Sequence, residues 1–308
     1  MEVAVSRFSH GVIAVADMDE SCRFYRDGLG FEQISDDFIK ADFERLIGVN
    51  AKGARSVMLA DSRDPSSTPI VELLDFGGAA QRPSAHAGPL CIGAFAVSLW
   101  ANADEIQERL KSHGYNPFVE RAIVTAFGPP LEIGFVRDPD GTYIELLPPY
   151  PMPSEETGGA DRMRSGPDHT AMAVVDLDVS TRFYRDGLGL DYWDCGYTDI
   201  DFHRAVSAHT GVVKSVMIGA PEGDPAPRIE LVDFLHGVGL APKTDSFHVG
   251  LFMHVVLADL DEIEKRMTEF GPEVRVVRDD LELRGSSVPS LFVRDPDDEH
   301  VAVLPIDL

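Results

Sequence analysis

Along the first part of the chain, apolar and polar positions alternate in two distinct rhythms. Phe8 to Ala16 is a run of small and β-branched residues that reads as a strand. Asp17 or Asp19 then caps a helix whose apolar positions Cys22, Phe24, Tyr25 and Leu29 share one side, and Gly28 and Gly30 stop it. Strand-like runs follow at Phe31–Ser35, Ser56–Ala60 and Ile70–Phe76, so the order is strand, helix, three strands. A stretch rich in Gly, Pro, Ala and Ser over 77–89 separates this unit from a second one with the same order. The second has a strand at Cys91–Leu99, a helix from Asn102 to His113 closed by Gly114, and strands at Asn116–Arg121, Ala122–Phe127, Glu132–Val136 and Thr142–Leu147. The turn between the last two is Asp138-Pro139-Asp140-Gly141, where Pro presets φ and Gly follows.

The chain then writes much of this again. Phe24-Tyr25-Arg26-Asp27-Gly28-Leu29-Gly30 returns unchanged as Phe183-Tyr184-Arg185-Asp186-Gly187-Leu188-Gly189. His10 and Asp17 reappear as His169 and Asp176, and Ser56-Val57-Met58 as Ser215-Val216-Met217. Val71-Glu72-Leu73-Leu74-Asp75-Phe76 is matched by Ile229-Glu230-Leu231-Val232-Asp233-Phe234, and Phe135-Val136-Arg137-Asp138-Pro139-Asp140 by Phe292-Val293-Arg294-Asp295-Pro296-Asp297. A repeat this long means a duplicated domain. The expected organisation is α+β, with domains over 1–148 and 167–308 joined by a Pro-, Gly- and acid-rich linker at 149–166. A third unit starts at His169, and a fourth near Phe247 with a helix from Asp259 to Phe270.

Composition narrows the function. The chain has 308 residues and a net charge of −25, from 52 acids against 27 Lys and Arg. No dense basic run exists, so neither nucleic acid nor an anionic membrane is an expected partner. No stretch approaches the ~20 apolar residues of a membrane span. Cys22, Cys91 and Cys195 form no paired spacing, and the N-terminus does not read as a signal peptide, so the expectation is a cytoplasmic protein. Gly28-Leu29-Gly30 lacks the third glycine and the preceding strand of a dinucleotide site. Arg26-Asp27 and Arg185-Asp186 stand where helices end, and their expected role is structural.

A βαβββ unit that opens with a strand-borne His and continues into an Asp-led helix ending Phe-Tyr-Arg-Asp-Gly-Leu-Gly resembles the vicinal oxygen chelate superfamily. That superfamily includes glyoxalase I, methylmalonyl-CoA epimerase, extradiol dioxygenases and the bleomycin-resistance proteins. The resemblance covers nearly the whole chain and implies four βαβββ modules forming two glyoxalase-like half-barrel domains. It implies a divalent metal held by the first and last strands of paired units, through His10 and Glu72 from unit one, Glu145 from unit two, and His169 and Glu230 from unit three. Counting back from the helix-closing glycines puts Phe95 and Phe252 at the remaining first-strand positions, and Ala302 matches Glu145. If consecutive units pair, Glu145 joins His10 and Glu72; if unit one pairs with four and two with three, it joins His169 and Glu230. His248 and His254 lie at even offsets from Phe252, which points both inward as candidate ligands of the poorer site.

The residues make a parallel argument. Glu72 and Glu230 each interrupt an apolar run, and a buried carboxylate is costly unless paired or metal-bound. Imidazole with two carboxylates suits one Mn, Ni, Co, Zn or Fe ion. The expected activity is a lyase or isomerase that chelates neighbouring oxygens of a small-molecule substrate and stabilises enolate-like charge. In it, as the resemblance to glyoxalase and epimerase implies, Glu72, Glu145 or Glu230 moves a proton. The alternatives are an Fe(II) ring-cleaving extradiol dioxygenase, which needs a second imidazole from His248 or His254, and a metal-free binder of an antibiotic or metabolite. The unequal ligand sets imply that one half does the chemistry, and a homodimer is an assembly to test for.

Overall fold

The computed structural model describes residues 6–61, 71–79, 93–117, 119–124, 131–149, 166–199, 212–219, 227–234, 250–271 and 274–307. Each quarter of the chain is a βαβββ unit. Unit one contains β1 (Arg7–Ala14), helix α1 (Met18–Arg23), β2 (Phe31–Lys40), a short helix α2 (Phe43–Ile47), β3 (Gly53–Asp61) and β4 (Val71–Asp75). Unit two has β5 (Gly93–Trp100), α3 (Ala103–Ser112), β6 (Glu120–Val124), β7 (Leu131–Arg137) and β8 (Tyr143–Leu147). In unit three these are β9 (Gly166–Ala173), α4 (Leu177–Arg182), β10 (Tyr192–Asp199), β11 (Val212–Ile218) and β12 (Arg228–Asp233). Unit four is β13 (Gly250–Ala258), α5 (Leu260–Phe270), β14 (Val276–Leu283), β15 (Ser286–Arg294) and β16 (His300–Pro305). The α+β class and the four modules are as the sequence implies. Among the described residues, the region read as two strands before β7 contains one, β6, and α2 is an addition the strand pattern did not show.

The sheets settle the open question of pairing. Units one and four form a closed barrel, β1-β13-β16-β15-β14-β2-β3-β4. Units two and three form an eight-stranded sheet, β10-β11-β12-β9-β5-β8-β7-β6. The two units of each sheet meet through antiparallel first strands, β1 on β13 and β5 on β9. The barrel closes because β14 also bonds β2, at Glu282 with Lys40 and Leu283 with Ile39.

The outer layers pair the units differently. The Phe-Tyr-Arg-Asp-Gly-Leu stretch prolongs α1 as a wider π-helical turn, Phe24–Leu29, which packs under α3 of the next unit. A Cβ on Gly28 would lie 2.4 Å from Leu110 Cδ2, so glycine is required by close approach rather than by helix termination. Gly30, at φ 89°, ends the turn. In the second copy, a Cβ on Gly187 would meet Met267 Cε at 2.7 Å.

The Tyr of each copy explains why the Asp-Pro-Asp turn is duplicated too. Tyr25 is fully buried and donates its hydroxyl to Asp138 Oδ2 at 2.9 Å; Tyr184 does the same to Asp295 at 2.9 Å. The second Asp of each turn accepts from the start of the neighbouring helix: Asp140 from Ala16 N and Ser21 Oγ, Asp297 from Val175 N and Ser180 Oγ. Unit one is thus bound to unit two by its helix and to unit four by its sheet, and the other units follow the same ring.

Replacing Tyr25 or Tyr184 with Phe removes one buried, charge-assisted hydrogen bond. Each change is expected to lower unfolding free energy by about 1–3 kcal/mol in urea titrations. Burial pushes the Asp138 carboxyl up to about 6, and burial with the neighbouring Glu299 charge pushes Asp295 up to about 7. Both lie above the unfolded value of about 3.9, so the stability from their protonated forms is complete below about pH 4 and lost as pH rises through 6 and 7. Thermal midpoints of Asp295→Asn should therefore fall less between pH 5 and 8 than those of the wild type.

Candidate functional site

The first barrel carries the His10 and Glu72 pair and is filled. Its interior packs Val12, Ala14, Phe76, Phe252, Met253, Val255 and Phe292, and α2 adds Phe43, Leu46 and Ile47. Asp42 caps α2 by accepting from Arg45 N, and Gly48 at φ 80° ends it, which folds these apolar residues back into the barrel. Within this packing the polar groups satisfy one another. His10 Nδ1 bonds Ser9 Oγ at 2.9 Å, His10 Nε2 bonds Glu72 Oε2 at 3.3 Å, and Ser56 Oγ donates to Glu72 Oε1 at 2.5 Å. Opposite His10 the register places Val255, beside Ala302 of β16, so unit four offers no donor there.

His254 does not join this site. Phe252 is an extra residue in β13, because Val12 pairs with Met253 and Ile13 with Leu251. The bulge reverses the alternation, and the inward expectation for His254 fails with it. Its ring is buried on the other side of the strand, where Nε2 bonds Thr170 Oγ1 at 3.0 Å and the ring packs on Phe8. Phe95 is likewise extra in β5, between Ala94 and Ala96, and packs near Phe234. His248 lies outside the described residues.

The second sheet brings Glu145, His169 and Glu230 together. His169 sits on β9 opposite Ser98 of β5, and Ser98 lies beside Glu145 of β8. His169 Nε2 stands 3.5 Å from Glu145 Oε2 and 3.3 Å from Glu230 Oε2. These are attractive contacts without hydrogen-bond alignment, so the buried Nε2 has no hydrogen-bond partner among the described residues. Nδ1 is held from behind by Asp168 Oδ2 at 2.8 Å, and Asp168 faces Arg228 at 3.6 Å. The Arg228 guanidinium in turn lies 4.7 Å from the Trp193 ring centroid.

Electrostatics follow from this crowding. Burial alone would lower the His169 pKa; Asp168, Glu145 and Glu230 reverse the sign and hold it well above the ordinary imidazole value. Burial would raise Asp168, but His169 and Arg228 pull its carboxyl down to about 2. Burial and the nearby Glu230 charge push the Cys195 thiol up to about 12, so it is no thiolate. Ser98 Oγ donates a short hydrogen bond to Glu145 Oε2, which anchors that carboxylate.

The sequence reading missed Ser98, Ser56, Asp168 and Arg228. Ser56 stood in the repeated Ser-Val-Met triplet, Ser98 was a polar residue inside the apolar run of β5, and Asp168 immediately precedes His169. The role of Arg228 depends on tertiary contacts that no local signal carries.

The donor set suits a divalent ion. It offers one imidazole nitrogen and two carboxylates, with the nitrogen lacking a hydrogen-bond partner and its ring oriented by a carboxylate on the far side. The two carboxylates turn to the imidazole itself. Among the described residues, no group of three or more His, Cys, Asp or Glu stands in an arrangement that could hold a metal ion as it is. No helix among them is long and apolar enough to cross a membrane.

Comparison with known proteins places the chain by family and fold. The lactoylglutathione lyase-like protein terB of Aspergillus terreus is 28% identical over 144 residues, 45% of this chain and 73% of that protein. Glyoxalase I from Zea mays superposes with a TM-score of 0.65 at 17% identity, covering 99% of this chain and 94% of that one. A putative dioxygenase from Bacillus subtilis gives a TM-score of 0.59 at 12% identity, over 98% and 86% of the two chains. At these identities the structural likeness speaks for the fold alone. The profile of the Glyoxalase/Bleomycin resistance protein/Dioxygenase superfamily matches residues 7–146 and again 166–303, and the chain belongs to that superfamily, carrying its domain in tandem.

Proposed function

We propose that the protein is a divalent-metal-dependent lyase or isomerase with one working site, formed by His169, Glu145 and Glu230. The observation that carries this reading is the buried His169 Nε2, left without a hydrogen-bond partner among the described residues while Asp168 fixes the other side of the ring. Metal-ligating histidines give their other ring N–H to a carboxylate in the same way, which supports the reading. When bound, the ion would act as a Lewis acid, lowering the cost of negative charge on two neighbouring substrate oxygens.

The chain's own residues divide the remaining work. Asp168 holds Nδ1 and so leaves Nε2 as the donor atom. Ser98 fixes Glu145, which suits a stationary ligand. Glu230 is more open than Glu145, 21% against 14% exposed, and the described residues give it no hydrogen bond that would fix it. We assign Glu230 the proton transfer, between the carbon next to a carbonyl and its neighbour. With His254 turned away, the described residues supply a single imidazole here, which favours redox-neutral proton transfer over iron-dependent ring cleavage.

Metal content measured by plasma mass spectrometry, after loading and desalting, tests the assignment. Wild-type protein is expected to retain about one divalent ion per chain, and Glu145→Gln and His169→Gln to retain far less. The paired change His10→Leu with Glu72→Leu should leave that content unaltered, because it replaces a satisfied buried pair with apolar volume. Equal metal in all variants, or none in the wild type with any first-row ion, would sink the reading and leave a metal-free binder.

A further inference from the structure

A cavity of about 350 Å³ lies at the β6-β7-β8 end of the second sheet, lined by Pro117, Glu120, Phe135, Val136, Arg137 and Tyr143 with the exposed Asn116 beside them. It adjoins the candidate metal site. Phe135 is the cross-strand partner of Glu145, Arg137 is the partner of Tyr143, and Glu120 faces Phe135. Tyr143 precedes Glu145 by two residues on the same face of β8, a step of about 7 Å. A molecule against Tyr143 is therefore about 7 Å along β8 from Glu145.

The walls combine an apolar surface with two charged groups. Phe135 and Tyr143 meet edge to face with ring centres 6.2 Å apart. The Arg137 guanidinium lies 4.2 Å from the Tyr143 ring centroid and donates to the Tyr143 hydroxyl, which fixes the plane of its fork. In a chain with 52 acids to 27 Lys and Arg, an arginine has ample choice of partner. Arg55, Arg121, Arg278 and Arg284 all take close carboxylates. Arg137 has no carboxylate within ion-pair distance among the described residues, and instead spends one N–H on a neutral phenol. Glu120 adds an acceptor, since its Oε2 is buried and has no hydrogen-bond partner among the described residues.

We propose that this cavity binds the carboxylate end of the substrate. Arg137 takes the carboxylate through its free N–H groups, and Glu120 Oε2 accepts an O–H or N–H from the adjacent carbon. The aromatic walls cover the apolar part of the molecule. That this end belongs to the molecule reacting at Glu145, His169 and Glu230 rests on the function proposed above; the binding itself does not.

Isothermal titration of chelator-treated protein with 3-phenylpropanoate, 2-hydroxy-3-phenylpropanoate and 3-phenylpropan-1-ol tests the proposal. Both carboxylates are expected to bind, the hydroxy acid more tightly, and the alcohol not measurably. Arg137→Met should weaken carboxylate binding by about tenfold or more, and Arg137→Lys by less, because it keeps charge but loses the fork. Glu120→Met should erase the advantage of the hydroxy acid while keeping 3-phenylpropanoate binding. Alcohol binding as tight as carboxylate binding, or equal affinities in wild type and Arg137→Met, would overturn it. Carboxylate binding by a protein that never takes up metal would uphold the cavity and reject the metal reading. Metal uptake without carboxylate binding would do the reverse.

Discussion

Buried carboxylates are the constraint on which this architecture depends. A carboxyl group taken out of water must be given donors, and the fold gives Asp138 and Asp295 a tyrosine hydroxyl and two backbone N–H groups each. Those donors come from different units, so satisfying the turn also fixes where the neighbouring helix lies. The repeated heptapeptide and the repeated Asp-Pro-Asp turn are two ends of one contact. Neither could drift without exposing the other to an uncompensated charge.

The same logic separates the two interiors. In the first barrel, His10 and Glu72 find all their partners within the protein, and Phe43, Leu46 and Ile47 seal them in. In the second sheet, His169 keeps one nitrogen aimed at two carboxylates without a hydrogen bond. The first cluster is satisfied within the protein, whereas the buried nitrogen of the second has no hydrogen-bond partner among the described residues.

Much of this was written in the sequence, and the remainder was hidden for identifiable reasons. The duplication, the unit order and the His and Glu positions are local patterns and could be read directly. Unit pairing could not, because the local pattern of β1, β5, β9 and β13 marks each as a first strand without saying which two lie antiparallel. The side of β13 on which His254 falls was lost at Phe252, where one inserted residue reverses every later position. Helix α2 was missed because five residues are too few to show a period. Arg228 was invisible because its meaning comes from Asp168 and Trp193, which lie far from it along the chain.

The ring of contacts also bears on how such a protein can change over time. Each half of the chain gives one unit to the barrel and one to the open sheet, so the halves stand to each other as two subunits of a symmetric dimer would. Two identical subunits must carry identical sites, and a substitution that ruins one ruins both. Joining the halves in one polypeptide removes that restriction. Residues at matching places can then diverge, one cavity hardening into scaffold while the other stays open to small molecules. Within one chain, Val255 with Ala302 can stand at the places that match Ser98 with Glu145.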